Sequence, residues 1–179
     1  MIGFEFAILD FIQEHLRTSF GDFIMPIISM LGNGGIIWLC IAGVLCIFPK
    51  YRKYGITMLI AILIDVLICN VTLKPLIARM RPFTVNTDIS LLIDAPKDYS
   101  FPSGHTACSF ASAFSLLFSK CRLWKPSMIL AVLIAFSRLY LYVHYPTDVF
   151  AGILNSSCTC YGVGNGLYNR YSERHNGNK

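Results

Sequence analysis

Residues 23–49 run for 27 positions without a charged side chain. A helix needs about 20 apolar residues to cross the hydrocarbon core of a bilayer, so this stretch sets the terms for the whole fold. Further apolar runs cover 51–77, 104–118, 126–142 and 146–168, with few charges inside them. The composition agrees, since 55% of the residues are apolar and only 14% are charged, against about 25% charged in an ordinary soluble domain. Disorder is excluded, because it goes with low apolar content. An ordinary soluble globule is excluded too, because at this size about 30% of the surface stays exposed and would be sticky. The pattern predicts an all-α, integral-membrane bundle, folded as a single domain over 1–179.

The runs resolve into six transmembrane helices. Gly32, Asn33, Gly34 and Gly35 favour a turn. They divide the first stretch into two tightly linked spans at 20–32 and 35–48. In residues 3–20, Phe4, Ile8, Phe11, Ile12 and Leu16 recur at helical spacing between Glu5, Asp10, Glu14 and Arg17. That predicts an N-terminal amphipathic helix lying in the membrane interface. The tail, 169–179, is polar and expected to fray. The N-terminus lacks the pattern of a removable signal peptide. The seven cysteines are odd in number and lie mostly in apolar runs, so they read as small buried hydrophobes and not as a disulfide framework.

Six spans put both termini on one side. Lys50, Arg52, Lys53, Lys120, Arg122, Lys125, Arg170, Arg174 and Lys179 then share that side, and an excess of Lys and Arg marks the cytoplasm. The net charge of +5 is thus read as topology. Nucleic acid, which calls for a clustered basic patch, is not an expected partner. The polar segment 79–103 and the turn at 143–146 fall on the outward face of the cell membrane.

Ionisable groups beside apolar spans are costly and mark function by default. Lys74, Arg81, His105, Arg138, His144 and Asp148 all fall at the outward ends of the predicted spans. Lys74 and Arg81 are about two helical turns apart and share a face if their helix continues that far. Ser103 is placed to cap the helix that follows it, whose N-terminus attracts anions. Gly104 permits close approach to the backbone. Asp148, one helical turn beyond His144, is placed to fix the imidazole tautomer. Three cations suit a tetrahedral oxyanion, and two histidines allow one to attack while the other protonates a leaving group. That set fits phosphoryl transfer through a phosphohistidine. Asp65 reads as structural and Arg79 has no firm role. Tyr140, Tyr142 and Tyr145 read as an interfacial aromatic belt, and Asp88, Asp94 and Asp98 as solvated loop charges. His15 and His175 lie outside the set.

Three segments resemble the motifs of the type 2 phosphatidic acid phosphatases, the PAP2 superfamily of lipid phosphate phosphatases. Lys74-PLIARM-Arg81-Pro82 is similar to its K-x6-R-P motif, and Pro102-Ser103-Gly104-His105 to P-S-G-H. Ser137-Arg138-LYLYV-His144-YPT-Asp148 is similar to S-R-x5-H-x3-D. The resemblance implies that His144 is the nucleophile, Asp148 its orienting partner and His105 the acid for the leaving oxygen. It implies that Lys74, Arg81 and Arg138 hold the phosphoryl oxygens, together with Ser103 and the Gly104 N–H. It implies chemistry without a metal or other cofactor. The expected substrate is a lipid phosphate or diphosphate of the outer leaflet, with undecaprenyl diphosphate first. Phosphatidylglycerol phosphate or phosphatidic acid is the alternative, and transfer to a second lipid instead of water is a further one.

Overall fold

A computed structural model describes residues 2–176, with side chains over 3–162. Among the described residues the chain is all-helical. α1 (Ile2–Phe11) runs into a π-turn at Ile12–Leu16. α2 (Ser19–Leu31) and α3 (Ile36–Ile47) flank a 3-10 turn at Asn33–Gly35. α4 (Arg52–Val66) continues through a π-helical stretch, Leu67–Leu73, into the short α5 (Lys74–Ile77). α6 (Pro82–Val85) is one turn within the long polar loop. α7 (Gly104–Phe118), α8 (Trp124–Tyr140) and α9 (Pro146–Asn176) complete the chain. Local chemistry sets the starts. The Thr18 hydroxyl accepts from Gly21 N–H, the Ser103 hydroxyl accepts from Thr106 N–H, and Pro146 opens α9, where its missing N–H costs nothing. The tail expected to fray from 169 stays helical to Asn176. Residues 177–179 and the side chain of His175 lie outside the described residues.

α7 is the central element, packed against α4, α8 and α9. Its small residues Ala107, Ser109, Ala111, Ser112 and Ala113 are all buried and let the neighbouring backbones approach closely. Trp38 reaches in from α3 and donates to Ser109 Oγ at 2.9 Å. Asp65 is structural. Its carboxylate accepts from Asn155 at 2.8 Å and Ser156 at 3.1 Å, tying α4 to α9. Outside this core, the large apolar side chains Phe23, Ile47, Leu63, Val71, Ile129 and Phe150 are all exposed. By length and apolarity, Arg52–Val85 is a candidate for crossing a membrane on its own. Ser19–Leu31 and Asn33–Ile47 pass the same test together, as a pair bent by 47°.

That bend departs from the six-span expectation. Gly34 (φ 58°) and Gly35 (φ 67°) take left-handed conformations across one 3-10 turn, which kinks the helix without folding it back. α2 starts beside Tyr140, whose hydroxyl accepts from Thr18 N–H at 3.1 Å. It ends with Gly32 against Ile134 and His105. α3 then runs along α7, with Gly35 against Cys108, until Leu45 shares a cavity wall with Cys121. The two helices make one bent passage through the bundle where two were expected. The N-terminus therefore sits at the end of the bundle that carries 79–103, and not beside the basic loops. The expectation of both termini on one side is corrected accordingly.

α1 also does more than line an interface. Leu9 is fully buried against Tyr142 and Tyr145, and Ile12 packs on Tyr140, Leu141 and Val143. Phe4, Phe11 and Leu16 face outward. The three tyrosines are not a belt. They are 2%, 0% and 3% exposed and form the floor on which α1 rests. The Tyr142 hydroxyl donates to Asp10 at 2.7 Å.

Candidate active site

Lys74, Arg81, His105, Arg138 and His144 line one cavity of about 600 Å³ at the end of the bundle that carries the polar loop. Residues spaced over 70 positions meet there because α5, α7, α8 and α9 all begin or end at that level. Ser29 and Asn33 from the α2 break close one wall, and Leu92, Ile93 and Asp98 of the loop close another. The loop is pinned by Leu91, Leu92 and Ile93 packing on the Tyr140–Val143 turn.

His144 sits in the turn between α8 and α9, where Tyr142 (φ 59°) reverses the chain. Its imidazole is buried, and Nε2 lies 3.2 Å from Arg81 Nη1. An arginine only donates, so Nε2 carries the lone pair and Nδ1 the proton. Nδ1 is 3.4 Å from Asp148 Oδ2, an ion-pair distance that is not yet an aligned hydrogen bond. Asp148 is fully occupied. Oδ2 accepts from Ser100 Oγ and from Tyr145 N–H at 2.9 Å, and Oδ1 accepts from Arg79 Nη1 at 2.7 Å. Burial pushes the His144 imidazole down to about 3, with Arg81 and Arg138 adding to the effect against the pull of Asp148. The side chain is therefore neutral through the physiological range, with the Nε2 lone pair turned toward Arg81.

His105 stands in the first turn of α7, with Nε2 2.8 Å from Asn33 Oδ1. Gly32 makes room for it, since a Cβ there would come within 2.8 Å of the ring. Arg138, in the last turn of α8, is buried and donates to Ser29 Oγ, while its Nε has no partner. At Gly104 a Cβ would come within 2.7 Å of Asn70 Oδ1, so any larger residue would have to push that side chain aside.

Three expectations change here. Lys74 and Arg81 do not share the face of one continued helix. α5 stops at Ile77 because Ala78 turns left-handed (φ 48°), and Arg81 is extended before Pro82. They are brought together instead by Asp98, which Lys74 Nζ and Arg81 Nη2 both engage. Asp98 is thus not a solvated loop charge. Although partial burial opposes its charge, Lys74 and Arg81 hold its carboxyl well below the usual range. Asp88 and Asp94 are exposed, as loop charges should be. Finally, the Ser103 side chain does not enter the cavity. It is fully buried, and its Oγ accepts from Thr106 Oγ1 at 2.9 Å within α7.

The structure adds residues that spacing alone did not single out. Arg79 bridges Asp148 and Glu5 of α1, at 2.7 and 2.6 Å, and stacks 3.8 Å over the Tyr145 ring. Thr147 also donates to Glu5. The N-terminal helix is thereby wired to the carboxylate behind His144. Asn33 is the contact that orients His105.

Residues 51–171 match the PAP2 superfamily. The chain belongs to the PAP2 superfamily. An undecaprenyl-diphosphatase of Sulfolobus acidocaldarius is 34% identical over 87% of this chain and 75% of that relative. The phosphatidylglycerophosphatase B of Bacillus subtilis is 32% identical over 77% of this chain and 64% of its own length. Among solved structures, Aquifex aeolicus LpxE superposes with a TM-score of 0.76 at 28% identity, covering 88% of this chain and 93% of that one. A transmembrane PAP2-type phosphatidylglycerolphosphate phosphatase from Bacillus subtilis superposes with a TM-score of 0.67 at 25% identity, covering 94% of each chain. The PAP2 match holds every cavity-lining residue of the three motifs. Glu5, Ser29 and Asn33, which support them, lie N-terminal to it.

Proposed function

We propose that this PAP2 protein is an integral-membrane phosphatase that removes the terminal phosphate from a lipid phosphate or diphosphate through a phosphohistidine. The observation that carries the reading is the cavity itself, where three cations and two histidines converge with Asp148 behind one of them. His144 Nε2 attacks the terminal phosphorus, and its bond to the leaving oxygen breaks, the ester oxygen in a lipid monophosphate or the bridging oxygen in a lipid diphosphate. The leaving oxygen takes a proton from His105. Lys74, Arg81 and Arg138 offset the charge on the phosphoryl oxygens, with the Gly104 N–H at the start of α7 beside them. Asp148 stabilises the imidazolium proton on Nδ1. Water then attacks the phosphorus, giving its proton to His105. The P–N bond breaks, and inorganic phosphate leaves with His144 restored. The cations supply the neutralisation that a metal would otherwise provide, so turnover is expected to survive EDTA.

Undecaprenyl diphosphate is the preferred substrate, supported by the relative from Sulfolobus acidocaldarius. The similarity to phosphatidylglycerophosphatase B favours phosphatidylglycerol phosphate as the second reading. The excess of Lys and Arg in the loops at the opposite end supports a cytoplasmic position for that end. The cavity and α1 then face outward, and the lipid chain lies against the exposed apolar belt. The test is phosphate release by purified protein from both lipids, for wild type and for His144→Ala. The variant is expected to lose about 10⁴-fold or more, and wild-type-like turnover in it would sink the mechanism. Faster release from phosphatidylglycerol phosphate would overturn the substrate preference while leaving the mechanism standing.

A further inference from the structure

Asp98 stands between two of the cations assigned to the phosphoryl group. Its Oδ1 accepts from Arg81 Nη2 at 2.6 Å, its Oδ2 pairs with Lys74 Nζ, and its carbonyl accepts from Arg81 Nε at 2.8 Å. A guanidinium has five N–H donors, and in Arg81 each has an acceptor. Nε serves the Asp98 carbonyl. Nη1 serves the Val143 carbonyl at 2.6 Å and points to His144 Nε2 at 3.2 Å. Nη2 serves Asp98 Oδ1 and, more weakly at 3.4 Å, the Tyr99 carbonyl. A phosphoryl oxygen gains a strong Arg81 bond only by displacing an acceptor. Val143 is buried, and His144 releases Nη1 only once its Nε2 turns to phosphorus, whereas the Asp98 side chain is 53% exposed on a loop and can leave before attack. Asp98 is the group free to move.

We propose that Asp98 is a specificity-determining residue, a built-in anion that competes with the substrate for Lys74 and Arg81 and so admits terminal phosphates while rejecting phosphodiester headgroups. A diester carries one negative charge. Exchanging it for the Asp98 carboxylate trades like for like and gains nothing in Coulomb energy. A terminal phosphate approaches two negative charges near neutral pH, so the exchange favours it. A bilayer presents diester headgroups in large excess over lipid phosphates, and discrimination then needs an element that works against the abundant competitor. A carboxylate already seated on the clamp is such an element. Arg138, with its Nε unpartnered, gives the incoming phosphate a first contact before Asp98 leaves.

This inference rests on the phosphatase reading of the cavity, and its test separates the two. Purified wild type, Asp98→Asn and Asp98→Ala are titrated with inorganic phosphate and, separately, with phosphatidylglycerol in mixed micelles. Binding is read by the shift in unfolding midpoint, and inhibition by the release of phosphate from a lipid phosphate. Two variants at a half-exposed loop position guard against a folding loss, which the ligand-free midpoint reports directly. Both variants are expected to bind inorganic phosphate at least tenfold more tightly than wild type. Both should also become sensitive to phosphatidylglycerol, which leaves wild type unaffected. Equal or weaker binding of both probes would overturn the proposal and make Asp98 a residue that merely positions Lys74 and Arg81. A wild type that binds phosphate but releases none from any lipid would instead remove the phosphatase reading, while the binding titrations still decide whether Asp98 competes.

Discussion

The two ends of the bundle carry their cations in opposite ways. At the end bearing the polar loop, Lys74, Arg79 and Arg81 are each met by a carboxylate from Glu5, Asp98 or Asp148. At the other end, Lys50, Lys120 and Arg122 line a cavity of about 710 Å³ with Tyr51 and Tyr54. Among the described residues no ion pair joins these three to a carboxylate, and 23–64 and 99–147 hold no acidic residue. A cation that holds a substrate in one pose has to be aimed, and a carboxylate or carbonyl partner aims it. A cation that sets topology only has to lie on the correct side of the membrane. Among the described residues the difference lies in the carboxylate partner, which Lys74, Arg79 and Arg81 have; Arg138 is held by the Ser29 hydroxyl instead, and at the other end Arg52 reaches only the Cys46 carbonyl.

The largest expected effect tests the aimed end. Asp148→Asn keeps the shape of the side chain and removes the charge behind His144. It also takes from Arg79 the carboxylate it shares with Glu5. Loss of the correct tautomer in a comparable nucleophile–His–Asp arrangement costs about 10⁴-fold, and a drop of that order is expected in phosphate release here. A loss under about tenfold, in protein whose unfolding midpoint matches wild type, would mean that Arg81 alone orients His144.

Much of this arrangement was legible in the sequence, and the part that was not has a common cause. The apolar runs located the long helices to within a few residues, because burial and lipid exposure both act on every position of a helix, except that α9 continues through the polar tail to Asn176. The motif residues Lys74, Arg81, His105, Arg138 and His144 do meet in one cavity. Gly and Asn at 32–35 signalled a break but not its angle. Whether a chain kinks or reverses depends on which neighbours the following helix finds, and α3 finds α4 and α7. The roles of Asp98, Asn33 and Glu5 were not legible because their partners are 17 to 142 positions away. Helical spacing reveals only neighbours three or four residues apart. The tyrosines failed as a belt for the same reason, since nothing local announces that α1 folds over them.

A smaller effect sharpens the comparison through pH. His144 is held at about 3 when folded, against 6.5 for a free imidazole. In the unfolded chain it takes up a proton as pH falls below 6.5, and in the folded chain it does not until near 3. The unfolded state binds more protons across that window, so stability falls as the solution is acidified. The contribution is fully present well above 6.5 and is reduced by about 1 to 2 kcal/mol at pH 5.5. His144→Gln removes this titration, and its unfolding midpoint is expected to vary less than that of wild type between pH 6.5 and 4. Parallel curves for the two proteins would show that the imidazole is solvated or already protonated in the fold.

The smallest effect belongs to the other end. Replacing Lys50, Lys120 and Arg122 together by Gln removes charges that no carboxylate aims among the described residues and that lie on the far side of the core from His144. Substitutions away from a specific partner usually stay within about 0.5 kcal/mol, so turnover in detergent should stay within about twofold of wild type. The same change withdraws part of the basic excess that keeps these loops at the cytoplasm. Its cost should therefore fall on insertion, read as a lower membrane yield or a mixed orientation of a C-terminal tag in protease-protection assays. Full yield with a single orientation, combined with a turnover loss as large as that of Asp148→Asn, would break the comparison. The unaimed cations would then be coupled to the chemistry through the helices that join the two ends, and topology would no longer account for them.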